Sequence, residues 1–280
     1  MKKAILIGIN YKNTSSELHG CISDVNNMYK FLNENCEFQK ENMHVLTEET
    51  EKVPTRLNIE KEVDWLISGN LYGDVLLFYY SGHGAYIKDT SNGDVNGYDE
   101  TIVPLDYETQ GVITDDWLYN YMVKKIEKDI TLIGFSDSCH SGSVVNLKYN
   151  MQFDSKRIST SSGQAYIGSE WSDDFLLSID KGSEIVGNCC FFSGCRDTET
   201  SADAFINNIN QGAFTSCLLD CLRCFVVKMP DTKTRFQKGK LKLRNLLKDV
   251  NGRLQIGGFA EQHSQLSFGN INDFEKFLDF

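Results

Sequence analysis

Two short runs of the chain are apolar at nearly every position: Asp74-Val75-Leu76-Leu77-Phe78-Tyr79-Tyr80 and Thr131-Leu132-Ile133-Gly134-Phe135. A strand with one face in water alternates polar and apolar side chains. A run without that alternation suits a strand buried on both faces, as in a parallel sheet covered by helices. Parallel neighbours need long crossover connections, and the sequence supplies them. Strand-like runs at 4–9, 43–46, 101–103, 185–192 and 264–268 are interleaved with helical periods at 24–32, 58–67, 212–227 and 241–250. Pro54 suits a first helical turn, and Thr114 is placed to cap a helix reaching about residue 126. The fold class expected is α/β, with a central mixed, mainly parallel β-sheet flanked by helices on both faces. Residues 143 to about 183 fit neither pattern and read as a long irregular connection, of a kind that is usually functional or mobile.

At 280 residues and 41% apolar, the chain is long enough for a substantial core. Its formal net charge of −11 argues against a nucleic-acid partner held through phosphates and favours encounter with cationic peptides, an attraction that salt should weaken. No window approaches 18 consecutive apolar residues, so no membrane span is expected. The basic start Met1-Lys2-Lys3 precedes too short an apolar run for a signal peptide and reads as the entry to a buried strand. Nine cysteines, an odd count without framework spacing, imply reduced thiols and a cytoplasmic setting. Cys221 and Cys224 form a lone CxxC in a helical stretch, which suits core cysteines better than zinc.

Both apolar runs lead into a small-residue turn that carries a reactive side chain: Ser81-Gly82-His83-Gly84 after the first, Ser136-Asp137-Ser138-Cys139-His140-Ser141-Gly142 after the second. Ligands of open parallel sheets bind beyond the carboxyl ends of the strands. If these two strands are parallel neighbours, His83 and Cys139 meet across one crevice. A free thiol is only about 3% thiolate at pH 7, so a thiol nucleophile needs a base at hand. His83 is preferred over His140, because adjacent residues on an extended turn point apart. Backbone N–H groups of Gly84 and Cys139 are candidates to hold an oxyanion. Taken singly, a buried cysteine and a satisfied histidine are common; the pairing carries the argument.

These residues also carry a resemblance. Tyr80-Ser81-Gly82-His83-Gly84 and Asp137-Ser138-Cys139-His140-Ser141-Gly142 resemble the type I metacaspases, a branch of the caspase-like cysteine peptidases. Gly8-Ile9-Asn10-Tyr11, Gly20-Cys21-Ile22-Ser23-Asp24, Gly97-Tyr98-Asp99-Glu100-Thr101-Ile102-Val103-Pro104 and Val112-Ile113-Thr114-Asp115-Asp116 match as well. In the second half the matches are Ser193-Gly194-Cys195-Arg196-Asp197, Thr200-Ser201-Ala202-Asp203-Ala204, Gly212-Ala213-Phe214-Thr215 and Gln265-Leu266-Ser267.

The resemblance implies a caspase-like catalytic domain over 1–280: a large-subunit-like part to about 147, a linker at about 148–183 and a small-subunit-like part from about 184. It implies an endopeptidase that cuts protein or peptide substrates after Arg or Lys, with Cys21, Asp24, Ser81 and Asp137 lining the acidic specificity pocket. A desolvated guanidinium or ammonium needs such carboxylates, although Asp24 could equally cap the helix it opens. It also implies calcium activation through Asp99, Asp115, Asp116 and the residue seven after the nucleophile. Here that residue is Asn146 rather than Asp, which should weaken the site. The segment Asn92-Gly93-Asp94-Val95-Asn96-Gly97 imitates half an EF-hand loop, but Val103 stands where the bidentate Glu belongs. Self-cleavage in the linker has Lys148, Lys156, Arg157 and Lys181 as candidates. No N-terminal prodomain is expected, since the first strand begins at about residue 4, and a monomer is expected. The alternatives are a catalytically silent binding protein and a thiol hydrolase of different specificity.

Overall fold

The computed structural model describes residues 1–88, 98–139, 145–153, 175–179, 185–196, 199, 201–206, 209–228, 236–238, 241–270 and 278. The strands are, in chain order, β1 Lys2–Gly8, β2 Met43–Leu46, β3 Val75–Ser81, β4 Gly84–Lys88, β5 Tyr98–Ile102, β6 Ile113–Thr114, β7 Thr131–Asp137 and β8 Tyr149–Phe153. They continue with β9 Phe175–Ile179, β10 Asn188–Ser193, β11 Asp203–Ile206, β12 Ile209–Gly212, β13 Val226–Lys228, β14 Phe236–Lys238 and β15 Gln265–Phe268. The helices are α1 Cys21–Asn35, α2 Arg56–Ile67, α3 Tyr107–Gln110, α4 Asp115–Tyr121, α5 Ala213–Phe225 and α6 Leu243–Ile256.

Eight strands make the central sheet in the order β2-β1-β3-β7-β10-β15-β8-β9. The first five are mutually parallel; β15, β8 and β9 add on as antiparallel pairs. The expected mixed, mainly parallel sheet is what the chain builds. Side-chain alternation then divides the apolar residues into two cores. Ala4, Leu6, Leu77, Tyr79, Ile133 and Phe135 face α1, α5 and α6. Ile5, Ile7, Leu76, Phe78, Tyr80 and Leu132 face α2 and α4 on the other side. With apolar residues needed on both faces, β3 and β7 have no place for alternation, which is why their sequences read as continuous runs.

Gly134 marks the tightest point of this packing. It lies in register between Phe78 and Phe191, and a Cβ there would collide with the Phe191 ring. The missing side chain is what lets the Phe191 ring lie across the strand, 6.0 Å from the Phe78 ring.

Local expectations mostly hold. Thr114 caps α4, its hydroxyl accepting from Trp117 N at 3.1 Å, and a turn of 3-10 helix at Val123–Lys125 carries the chain on toward residue 126. Three expectations need correction. The connection from 143 to about 183 is not irregular throughout, because β8 and β9 extend the central sheet within it. Each is only five residues long, Tyr149-Asn150-Met151-Gln152-Phe153 and Phe175-Leu176-Leu177-Ser178-Ile179, too short a run to stand out from the polar sequence between them. Asp24 does not cap α1: the helix begins at Cys21, and the Asp24 carboxylate is buried in its first turn. Cys221 is buried but Cys224 is exposed, so the CxxC pair is only half in the core. No helix among the described residues is long and apolar enough to cross a membrane.

Candidate active site

The parallel register places the two reactive turns side by side. Gly8, Ser81 and Asp137 are Cα partners at the carboxyl ends of β1, β3 and β7. His83 and Cys139 each follow two residues later. The turns also touch directly: a Cβ on Gly84 would overlap Cys139 O, so only glycine permits this approach. A cavity of about 30 Å³ between them is lined by Cys21, Asp24, Ser81, His83, Asp137 and Cys139, every residue expected of the thiol–imidazole pair and the acidic pocket.

His83 is fixed from three sides. Its N–H donates to the Tyr11 hydroxyl at 3.1 Å, and its carbonyl accepts from the Tyr80 hydroxyl at 2.7 Å. Tyr11 in turn donates to Val103 O at 2.6 Å, and its ring centroid lies 4.7 Å from the imidazole. Burial raises the ionisation of both tyrosines above the ordinary range, so they remain neutral hydroxyls. Imidazole Nε2 lies 2.7 Å from Ser16 O. A carbonyl can only accept, so Nε2 carries the hydrogen, and the neutral ring offers Nδ1 as its basic nitrogen.

Cys139 is half-buried at the turn that ends β7, and its Sγ donates to Ser201 O at 3.7 Å. Burial pushes the thiol up, and the nearby Asp137 carboxylate adds to the effect. In this arrangement the sulfur is a thiol. Behind it, the buried Cys195 donates to Ser138 O at 3.2 Å and holds the residue before Cys139.

Two buried carboxylates form the floor. Asp24 accepts from Gly212 N at 3.0 Å and from Ser81 Oγ at 2.9 Å. Asp137 accepts from Thr215 N at 2.9 Å, from Thr215 Oγ1 at 2.7 Å and from Ser201 Oγ. Gly212 is wedged between them: a Cβ there would overlap Asp137 Oδ2 and stand 2.9 Å from Asp24 Oδ2. Burial raises both carboxyls, and the neighbouring Asp137 raises Asp24 further. Like charges this close and dry disfavour ionising both at once. Ser201 is held by Gln262, whose Nε2 donates to Ser201 Oγ at 2.9 Å while its Oε1 accepts from Ala202 N at 3.1 Å. Tyr11, Ser16, Ser201 and Gln262 are contributions that sequence reasoning did not assign. Tyr11 and Ser201 lie within the matched segments, but nothing in their spacing shows what they touch.

Comparison with known proteins decides the family. A family model described as the metacaspase, peptidase C14 domain, matches residues 2–148. Metacaspase-1A of Neurospora crassa is 35% identical over 253 residues, covering 79% of this chain and 56% of its own length. The chain belongs to the metacaspases. Metacaspase-1 of Cryptococcus neoformans var. neoformans serotype D is 31% identical and covers 97% of this metacaspase, which spans 63% of that relative. This metacaspase therefore covers less than two thirds of the length of either relative. A Geobacter sulfurreducens protein of known crystal structure aligns over 99% of this chain and 97% of its own, with a TM-score of 0.62 and 21% identity, which speaks for the fold alone.

The remaining expected residues of this metacaspase lie away from the cavity. Asp115 and Asp116 open α4, and Asp99 is on β5. Asp115 accepts from Glu100 N at 3.2 Å and Asp116 N at 2.8 Å. Asn146 donates from Nδ2 to Asp116 Oδ1 at 3.0 Å. Among the described residues no three His, Cys, Asp or Glu side chains converge to hold a metal. Three carboxylates and an amide oxygen are ligand types that calcium takes, and Asn146 as placed turns its nitrogen rather than that oxygen toward Asp116. Lys148 sits between the buried Leu147 and Tyr149, with its ammonium 5.4 Å from the Tyr149 ring centroid. Lys156, Arg157, Lys181 and His140 lie outside the described residues.

Proposed function

We propose that this metacaspase is a cysteine endopeptidase that cleaves after Arg or Lys. The observation that carries the proposal is the shared cavity: thiol and imidazole at its rim, two buried carboxylates on its floor. The basic side chain of the substrate enters between Asp24 and Asp137 and relieves their repulsion. His83 Nδ1 takes the Cys139 proton, and the thiolate adds to the scissile carbonyl while the N–H groups of Gly84 and Cys139 hold the oxyanion. The C–N bond then breaks with the imidazolium protonating the leaving amine, leaving an acyl-thioester. Water, deprotonated by His83, adds to that thioester, and Cys139 departs with its proton restored. Cleavage of fluorogenic Arg, Lys, Asp and Asn peptides, with Cys139→Ala as control, tests the reading. It stands on turnover of basic peptides alone. Equal inertness of wild type and control leaves a binding protein, and turnover of Asp or Asn peptides leaves a different hydrolase.

Two regulatory features of the resemblance are proposed with their own tests. Calcium binding requires the Asn146 side chain to turn its carbonyl toward Asp116, so Asn146→Asp should raise calcium affinity. A calcium-dependent rise in the melting temperature of a Cys139→Ala background, larger once Asn146→Asp is added, supports this; no shift in either removes calcium. Self-processing at Lys156 or Arg157 predicts a fragment pair divided near residue 157 by intact mass, absent in Cys139→Ala. A single species of full mass at all times removes it.

A further inference from the structure

A third carboxylate stands at the mouth of the same cavity. Asp203 lines it together with Asp24, Asp137, His83 and Cys139, but unlike the two on the floor it is exposed. The β11–β12 hairpin brings it there. Asp203 is the Cα partner of Gly212, whose N–H reaches Asp24 and whose Cα face abuts Asp137. The hairpin thus stacks one acidic side chain above two others. Its Oδ2 accepts from His19 N at 2.6 Å, a single tether to the loop that leads into α1.

We infer that Asp203 is a specificity-determining residue of this pocket, which grips the outer edge of a guanidinium and selects arginine over lysine. The inference rests on the reading of the cavity as a pocket for basic side chains, and its basis is a count of acceptors. A carboxylate offers about four lone-pair positions. Asp24 already serves two protein donors and Asp137 three. The floor therefore has about three positions left, which is enough for the three hydrogens of an ammonium. A guanidinium brings five N–H groups in a rigid fork. Any donor it cannot place is buried without a partner, at a cost that would set arginine behind lysine. Asp203, with one protein donor, offers about three more positions at the height where the outer N–H groups of an arginine would lie. An ammonium, compact and seated on the floor, does not reach it. Guanidinium N–H groups would take these free positions beside the retained His19 N–H, in bonds ionised at both ends. The Asp203 charge is also felt within the pocket, where it adds to the raising of Asp24 and Asp137.

The test uses the full chain with matched Arg and Lys reporter peptides. Asp203→Asn keeps an amide oxygen for His19 N, so the tether survives, while it removes the charge and turns the second acceptor oxygen into a donor. The expected result is a drop of about 10- to 100-fold in kcat/KM on the Arg reporter, carried by KM, with the Lys reporter changed less than about threefold. A guanidinium-bearing alkyl inhibitor should weaken in parallel, and an alkylamine inhibitor should not. Equal losses on both reporters, a loss confined to kcat, or no loss overturns the inference. Asp24→Asn separates this outcome from failure of the pocket reading. If that variant abolishes turnover of both reporters while Asp203→Asn fails to discriminate, only the role of Asp203 falls. If Asp24→Asn leaves basic cleavage intact, the pocket reading falls with it.

Discussion

Ser81 lies directly opposite Asp137 at the carboxyl ends of two neighbouring parallel strands. That one register pair sets the candidate chemistry, because His83 and Cys139 each stand two residues beyond it. The same pair also supplies one wall and half the floor of the cavity. A slip by one residue would turn every inward side chain of either strand to the opposite face. The two apolar cores therefore hold the thiol and the imidazole in alignment as well as stabilising the sheet.

Removing either reactive group should stop the reaction without unfolding the chain. Cys139→Ala and His83→Ala are each expected to lower kcat on a basic reporter by roughly a thousandfold or more. Their melting temperatures should stay near that of wild type, since both side chains sit at the rim of the core. Retained turnover in either variant, measured with purified protein, would count against the pairing.

Asp24 should show a conflict between stability and binding. Burial first, and then Asp137, raise its carboxyl above the ordinary range. A carboxyl that holds its proton more tightly when folded stabilises the chain below its unfolded value, and that stability is lost as pH rises through the raised folded value. Near neutral pH the ionised form is therefore a cost. Asp24→Asn keeps an oxygen for Gly212 N and lets Ser81 turn to accept from the new amide. It should melt about 2–4 °C higher than wild type near neutrality. The gap should narrow on acidification, as wild-type Asp24 takes up its proton, and turnover of basic reporters should be lost. Thermal melts across pH in a Cys139→Ala background check the sign, and a gap that widens on acidification contradicts it.

Tyr11 reaches the site only through His83. Tyr11→Phe leaves the ring in place and removes the acceptor of the His83 N–H and the donor to Val103 O. Stability should fall by about 1–3 kcal/mol. The imidazole should lose its alignment, lowering kcat about 10- to 100-fold with KM nearly unchanged. Steady-state kinetics on the Arg reporter decides; an effect on KM alone would mean that Tyr11 shapes binding instead.

Gly134 tests the packing beneath the site. An alanine methyl there runs into the Phe191 ring. Gly134→Ala should cost about 1–3 kcal/mol and lower the urea midpoint. Gly134→Ala combined with Phe191→Leu should recover part of the loss, and no recovery would place the strain elsewhere.

The inner strands and most helices were legible because burial writes a pattern into consecutive residues. β1, β3 and β7 are apolar on both faces, and Thr114 signals a helix start by its own hydroxyl. The pair His83 and Cys139 could be matched for the same reason: each follows a strand that could hardly lie anywhere but inside. β8 and β9 went unread because each is only five residues long and a polar stretch of about twenty residues separates them, although β8 alternates and β9 is mostly apolar. The EF-hand-like stretch and most candidate cleavage residues lie outside the described residues.

Asp203, Ser201 and Gln262 could not be assigned from spacing. Gln262 is 68 residues from Gly194, whose carbonyl it binds, and Asp203 is 184 residues from the His19 N–H it accepts. Short-range order is set by how each residue partitions between water and the core, and that is recorded locally along the chain. Which carboxylate caps a cavity depends on register, hairpin placement and the close approach that Gly212 permits, distances that exist only once the chain has closed on itself. The chain's own chemistry determined an α/β sheet with a thiol and an imidazole at strand ends, and its resemblance named two acids for the space between; tertiary packing alone brought in the third, Asp203.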